Sequence, residues 1–185
     1  MSTHVCPWWL GPLLASPLRR LLQDPAQIVA PLVREGMTIL EPGPGMGFFT
    51  LELARRVGPN GRVVAVELQP RMLAGLRRRT AKAGLEARVD ARPAAKDALG
   101  VRDLAGKVDL VFAFALVHEL PDASRFFDEV LRTLAPGGRL LLAEPSGHVK
   151  AAAFEATLAA AARAGLRAEP GPAIRRSRTA MLAAG

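Results

Sequence analysis

The chain has 185 residues, half of them apolar, which suits one domain with a single hydrophobic core. No apolar run reaches the roughly 18 to 20 residues that cross a bilayer, and the short apolar stretch 5–15 lacks the flanks of a signal peptide, so neither a membrane span nor a leader is predicted. The single cysteine, Cys6, excludes an intramolecular disulfide. It fits a reducing compartment, and a cytoplasmic protein is expected.

The formal charge is +8, but only four of the 25 basic residues are lysines. The basic residues are scattered, with small groups at 77–79 and 175–178, whereas a nucleic-acid site usually gathers them on one face. RNA therefore stays an alternative partner, and a small molecule is favoured. No oligomeric state is predicted.

Short apolar runs alternate with helical patterns from residue 36 onward, which is typical of repeated βαβ units in an α/β fold. Residues 1–17 are irregular, and two short helices follow, the second with Asp24 as N-cap and Pro25 at its first position. Strands are predicted at 37–41, 62–67, 86–91, 108–115 and 139–143, with two shorter ones near 166 and at 179–182. Helices are predicted at 47–57, 70–83, 122–134 and 150–164.

A glycine-rich loop, EPGPGMG at 41–47, joins the first strand to the first helix. Glycine allows positive φ and a close approach of backbone amides to a ligand. A dinucleotide loop has the pattern G-x-G-x-x-G, and here its last position is Phe48. Glu41 at the mouth of the loop would repel a pyrophosphate and attract the ammonium and sulfonium of S-adenosylmethionine. One such contact at about 4 Å is on the order of 4 kcal/mol before desolvation.

Glu67 ends the second strand, where a carboxylate accepts hydrogen bonds from both hydroxyls of a ribose. This position fits NAD as well as S-adenosylmethionine. Glu67 therefore indicates a nucleoside, and Glu41 favours the sulfonium cofactor.

With these two segments in register, the chain resembles the class I S-adenosylmethionine-dependent methyltransferases, in particular the small-molecule branch related to ubiquinone and menaquinone biosynthesis (methyltransferase type 11). The segments VDLVFAFALVHELPD at 108–122 and LAPGGRL at 134–140 also match that family's pattern. The four matches follow the family's order and span about residues 36–145.

The resemblance implies a doubly wound, Rossmann-like seven-stranded sheet of order 3-2-1-4-5-7-6, mostly parallel, with the last strand antiparallel. It implies a cofactor-binding methyltransferase domain at 36–185, preceded by a helical or lid segment at 1–35, as one domain overall. The cofactor contacts that it implies come from Glu41, Gly43, Gly45, Gly47, Glu67, Leu68, Ala95 and the backbone around Phe114. Many relatives have an aspartate where this chain has Ala95, so a backbone contact or Asp97 is expected to replace it at the adenine.

His118 is the candidate general base, because it follows the carboxyl end of the fourth strand and an imidazole titrates near neutral pH. The alternative is a histidine that only hydrogen-bonds locally. Glu119 either orients it or faces solvent. His148, after the fifth strand, is a candidate substrate contact or an ordinary loop residue.

Trp8 and Trp9 form either a lid over the substrate or a hydrophobic plug against the sheet. Cys6 lacks the partners of a zinc site, and no metal site is predicted. Arg175, Arg176 and Arg178 are either anion ligands or a solvated hairpin.

The favoured function is methyl transfer from S-adenosylmethionine to a small molecule. A thiol, a sulfide or another soft nucleophile is the expected acceptor, since no elaborate activating apparatus is visible in the sequence. The alternatives are an RNA or protein methyltransferase that uses the basic surface, a non-catalytic cofactor-binding protein and, last, an NAD-dependent oxidoreductase.

Overall fold

Seven strands form one sheet in the computed structural model, which describes residues 23–185. Their order is β3-β2-β1-β4-β5-β7-β6, as expected, and β7 is the antiparallel strand. The strands are β1 (Thr38–Pro42), β2 (Arg62–Glu67), β3 (Val89–Pro93), β4 (Val108–Phe114), β5 (Leu134–Pro145), β6 (Leu166–Pro170) and β7 (Ser177–Ala184). The helices are α1 (Pro25–Val29), α2 (Thr50–Arg56), α3 (Pro70–Lys82), α4 (Ala123–Thr133) and α5 (Ala151–Arg163).

The described chain divides after Lys96 into two compact units. The first contains β1 to β3 with α1 to α3, and both of its strand pairs are parallel. The second contains β4 to β7 with α4 and α5; β4 and β5 are parallel, and β7 runs antiparallel to both β5 and β6.

The core of the first unit follows from its near-continuous apolar strands. The interior residues of β1 and β2 are buried, as expected for parallel strands that are covered on both faces. Helix α3 contributes Leu73 and Leu76 to a cluster with Ala65 of β2. Pro25 opens α1 after Asp24, whose side chain accepts a hydrogen bond from the amide of Ala26 at 2.9 Å, so the predicted cap is confirmed.

In the second unit, α4 is an amphipathic helix, and β4 and β5 are apolar strands. Helix α4 buries Phe126, Phe127 and Val130, and it packs on α5. The Asp122 carboxylate caps α4 by accepting from the amides of Ser124 and Arg125 at 2.9 and 3.1 Å.

Three predicted starts were wrong by three residues or more. The helix predicted from residue 47 begins at Thr50, because residues 45–49 form turns in front of it. The third strand begins at Val89 and not at residue 86, because Glu86–Arg88 form a 3-10 turn in front of it. The fifth strand begins at Leu134, so the PGG segment at 136–138 does not separate helix from strand but lies inside β5 as an irregularity. Pairing with β4 shifts there from Val108↔Leu134 to Leu110↔Arg139.

None of the helices in the described part of the chain has the length and hydropathy needed to span a bilayer. The predicted first short helix, ahead of Asp24, lies outside the described residues.

Candidate functional site

The loop between β1 and α2 is a turn that only glycines fit well. Gly43, Gly45 and Gly47 have φ values of 67°, 57° and 83°, in the left-handed region. A Cβ on Gly47 would lie 2.6 Å from Cδ1 of Leu76, which is buried in the core. The loop thus combines a left-handed backbone with close packing on α3.

Glu67 ties this loop to the end of β2. One carboxylate oxygen accepts a hydrogen bond from the Gly45 amide at 3.0 Å, and the other accepts from the Gln69 amide at 2.8 Å. The side chain is buried, and a carboxylate can accept hydrogen bonds from several donors. Glu67 therefore shapes the turn at the end of β2.

Glu41 is a buried carboxyl group with an unused oxygen. It is the penultimate residue of β1 and is 3% exposed, and its Oε2 atom has no hydrogen-bond partner among the described residues. Burial, with a smaller contribution from the charge of Glu67, raises the pKa of Glu41 to about 8. The nearby hydroxyl of Thr50 offsets part of this rise, although it makes no hydrogen bond of good geometry with the carboxyl group.

A buried acceptor without a donor is costly unless a ligand completes it. A cationic ligand that donates a hydrogen bond would satisfy Glu41 and favour its ionised form. A pyrophosphate offers no donor and adds negative charge beside two carboxyl groups. The site can therefore hold a cation next to a group with hydroxyls, and it disfavours phosphate.

Two further predicted cofactor residues lie at neighbouring strand ends of the same unit. Leu68 directly follows Glu67 and is 39% exposed, the one exposed large hydrophobic side chain in the range 23–185. Ala95 follows β3 and is exposed, and Ala94 donates a backbone hydrogen bond to Glu67 at 2.9 Å. Asp97, the alternative to Ala95, forms an exposed ion pair with Arg125 at 3.2 Å.

In the second unit, β4 ends in a strained turn. Phe114 is its last residue and stacks on Phe112, with ring centroids 6.0 Å apart. The next residue, Ala115, has a φ of 55°, which is rare outside glycine, and its amide donates to the carbonyl of Ala143 at 2.7 Å. Such strain costs on the order of 1 to 3 kcal/mol and tends to occur at functional sites.

The 3-10 turn Val117–Glu119 that follows carries His118 against a buried carboxylate. Nδ1 of His118 lies 2.5 Å from Oε2 of Glu144, which is the penultimate residue of β5 and is 1% exposed. The other oxygen of Glu144 accepts from the amide of Val117 at 2.7 Å. The histidine side chain is itself 28% exposed, so solvent or a ligand can reach it.

The contact between His118 and Glu144 changes the pKa of the histidine. The hydrogen bond that His118 donates to Glu144 raises the pKa of His118; burial lowers it, and the charges of Glu144 and Glu119 raise it further. Nε2 lies 4.0 Å from Oε1 of Glu119, beyond hydrogen-bond distance. In this arrangement the carboxylate of Glu144 orients the ring of His118. Nε2, the ring nitrogen that does not face Glu144, can then exchange a proton with a ligand.

Glu144 was missed as a site residue, since the sequence directed attention to Glu119, the chain neighbour of His118. A signal was present, because a carboxylate at the end of the apolar segment RLLLAE (139–144) must be buried and therefore needs a partner. That Glu144 contacts His118 follows only from the parallel pairing of β4 and β5.

The remaining candidates take no part in this pair. His148 is exposed on the turn after β5, and its side chain makes no hydrogen bond among the described residues. Nε of Arg178 donates to the carbonyl of Val149 at 3.0 Å, while Arg175 and Arg176 are exposed. Cys6, Trp8 and Trp9 lie outside the described residues.

The fold is that of a doubly wound α/β protein. It has a glycine turn flanked by Glu41 and Glu67, and a histidine–carboxylate pair, His118 and Glu144, at strand ends. The profile of a methyltransferase-domain family matches residues 33–172. The chain belongs to this family, which confirms the predicted class.

Two curated relatives agree with that assignment, and a solved structure has the same fold. The chain is 35% identical over 109 residues to an arsenite methyltransferase of Halobacterium salinarum, covering 59% of this chain and 27% of that protein. It is 31% identical over 112 residues to a ubiquinone/menaquinone biosynthesis C-methyltransferase of Pasteurella multocida, covering 60% and 41%. A SAM-dependent methyltransferase structure from Aquifex aeolicus superposes with a TM-score of 0.84 at 23% identity, covering 96% of this chain and 98% of that one. The chain thus spans only about a quarter to two fifths of these two curated relatives.

Proposed function

We propose that this protein transfers a methyl group from S-adenosylmethionine to a small-molecule acceptor. The observation that carries the proposal is the buried, unpartnered Oε2 of Glu41 beside the glycine turn. It fits a ligand that has a cationic donor and no phosphate, as S-adenosylmethionine does.

In this proposal, different residues of the first unit bind different parts of S-adenosylmethionine. Glu41 binds the ammonium group, and the amides of the glycine turn lie close to the methionine part of the cofactor. Glu67 accepts hydrogen bonds from the ribose hydroxyls. The exposed apolar side chain of Leu68 contacts the adenine. Covering this surface with the base removes apolar area from water, which favours binding. Ala95, in the same unit, contributes a backbone contact, and the predicted contact from the backbone around Phe114 belongs to the second unit.

When bound, the cofactor supplies an activated methyl carbon with a good leaving group. His118 is the residue that handles a proton of the acceptor, since its ring is partly exposed and is held by Glu144. In this proposal residues 36–185 form the methyltransferase domain and residues 1–35 a segment that helps to enclose the acceptor, with Trp8, Trp9 and His148 as substrate contacts.

The acceptor is a small molecule in this proposal, as the names of the relatives indicate. One relative is named an arsenite methyltransferase and the other a C-methyltransferase of ubiquinone/menaquinone biosynthesis, so both names point to small-molecule methylation. A protein or RNA acceptor finds less support, because two of the arginines at 77–79 are engaged with backbone carbonyls.

The test is methyl transfer from isotope-labelled S-adenosylmethionine to a panel of thiols, thioethers, phenols, quinols and amines, with the demethylated cofactor as the measured product. We expect turnover of at least one acceptor class. Glu41→Gln is expected to weaken cofactor binding at least tenfold, since a neutral amide lacks the charge of the ionised carboxylate. Glu86→Gln, an exposed carboxylate, is the matched control. No binding of S-adenosylmethionine to the wild type would contradict the proposal.

A further inference from the structure

The pair of His118 and Glu144 has a consequence for the acceptor that the sequence did not indicate. A soft nucleophile was expected because no activating apparatus was visible, yet the structure holds a histidine against a buried carboxylate at 2.5 Å. A carboxylate removed from water needs partners that justify its burial. Those of Glu144 are the His118 ring and the amides of Val117 and His118, at 2.7 and 3.4 Å.

This geometry fixes which ring nitrogen carries the proton. Ionised carboxylate oxygens only accept hydrogen bonds, so the nitrogen that faces Glu144 must be the donor, which makes neutral His118 the Nδ1–H tautomer. Its Nε2 then keeps a lone pair, and Glu119 at 4.0 Å does not occupy it. Both backbone hydrogen bonds to Glu144 are donated by the turn that carries His118. The side chain of Glu144 therefore positions both the backbone of this turn and the imidazole ring.

We propose that Glu144 is a positioning residue that holds His118 ready to accept a proton at Nε2, and that the acceptor is a hydroxyl compound of the phenol or enol type. The inference rests on the proposed function. In the transfer, the acceptor oxygen bonds to the methyl carbon as the carbon–sulfur bond breaks, and the electron pair of that bond stays on sulfur. The hydroxyl proton passes to Nε2, and the resulting imidazolium, stabilised by Glu144, later releases it to water.

A general base speeds methyl transfer to a hydroxyl group, whereas a soft nucleophile such as a thioether does not need one. A phenol has a pKa of about 10 and is almost fully protonated at pH 7, so removing its proton during the transfer speeds the reaction by roughly 10² to 10⁴. A thioether attacks with a free lone pair and has no proton to lose. Thiols, with a pKa of about 8.5, are already partly ionised.

The first test is NMR of the imidazole nitrogens in the cofactor-free full chain, which has only three histidines. The signals of His118 are identified by their loss in His118→Ala. We expect the Nδ1–H tautomer in the wild type. In Glu144→Gln the side-chain NH₂ can face Nδ1, and we expect the tautomer to switch to Nε2–H and the pKa of His118 to fall. Glu155→Gln, an exposed carboxylate on α5, is the matched control and should leave both unchanged.

The second test is turnover as a function of pH. Because the neutral ring is the active base, kcat with a hydroxyl acceptor should rise with pH through the raised pKa of His118. Glu144→Gln and His118→Ala should each lower kcat by about 100-fold with hydroxyl acceptors and by less than threefold with a thioether. The double variant should lose no more than His118→Ala alone.

An Nε2–H tautomer in the wild type overturns the inference, whether or not Glu144→Gln folds. So does equal loss for hydroxyl and thioether acceptors, or turnover in the panel without any hydroxyl compound. These outcomes are distinct from failure of the proposed function, which calorimetric binding of S-adenosylmethionine decides independently of His118.

Discussion

Glu41 illustrates how a single residue can oppose stability in favour of binding. In the folded protein its pKa is about 8, against 4.5 in an exposed glutamate. At pH 7 the folded chain therefore holds a proton that the unfolded chain has released, and folding must recover it. This effect destabilises the protein by about 3 kcal/mol at pH 7.

Glu41→Gln is expected to raise the free energy of unfolding at pH 7, by at most about 3 kcal/mol, because the amide has no proton to recover. The sign follows from the raised pKa: the stability that Glu41 provides is complete below pH 4.5 and is lost as the pH rises through 8. Urea unfolding of wild type and variant at pH 5 and pH 8 measures the difference, which should be larger at pH 8. Glu86→Gln is the control, and an equal effect of pH on wild type and Glu41→Gln would contradict the buried, protonated carboxyl group.

The residue scale also shows where sequence reasoning ended. Glu41, Glu67 and His118 could be named because each stands at the end of a strand in a local pattern. Glu144 also stands at the end of a strand, but its role could not be named, because its partner lies 26 positions away along the chain and only the register of β4 and β5 brings the two together.

At the scale of elements, the β1–α2 turn depends on two separable effects. Gly47 has a left-handed backbone, and any side chain there would also meet Leu76 at 2.6 Å. Gly84, at the end of α3, has a similar φ of 64° but open space around it.

Gly47→Ala is expected to lower the free energy of unfolding by about 2 to 4 kcal/mol, since the backbone strain and the overlap with the core add. Gly84→Ala should cost only about 1 kcal/mol, from the strain alone. Chemical denaturation of both variants separates the two effects. Equal losses would show that packing on α3 does not constrain the turn.

Most elements were predictable, because apolar runs, caps and glycines are local signals. β2 was predicted to the residue, and α3, α4 and α5 to within one residue at each end. The errors lie where local signals compete. Glu86–Arg88 have a strand-like position but form a turn, and the PGG segment is typical of a helix stop but lies inside β5, where pairing with β4 changes register. The order of the sheet came from the resemblance to a family and not from the periodicity of the chain.

At the scale of the whole molecule, the charge of +8 invites a nucleic-acid function that the contacts do not favour. Arg77 and Arg79 donate to the carbonyls of Ala91 and Met46 at 2.8 and 2.7 Å, and Arg178 donates to Val149. These guanidinium groups are committed to the backbone of the fold.

We expect the protein to bind RNA only through nonspecific charge. Retention on an RNA column should therefore be lost as salt rises from about 50 to 200 mM, with no preference among sequences. Binding that persists at 200 mM salt and discriminates between RNA sequences would restore the alternative of an RNA methyltransferase.

The most direct measurement is titration calorimetry of the wild-type chain with S-adenosylmethionine and with NAD, at pH 7, in two buffers of different ionisation enthalpy. We expect S-adenosylmethionine to bind more tightly than NAD and to release up to one proton, as its cation draws Glu41 into the charged form. Tighter binding of NAD, or binding of S-adenosylmethionine with no proton released, would contradict a turn shaped by its carboxyl groups for a cationic nucleoside.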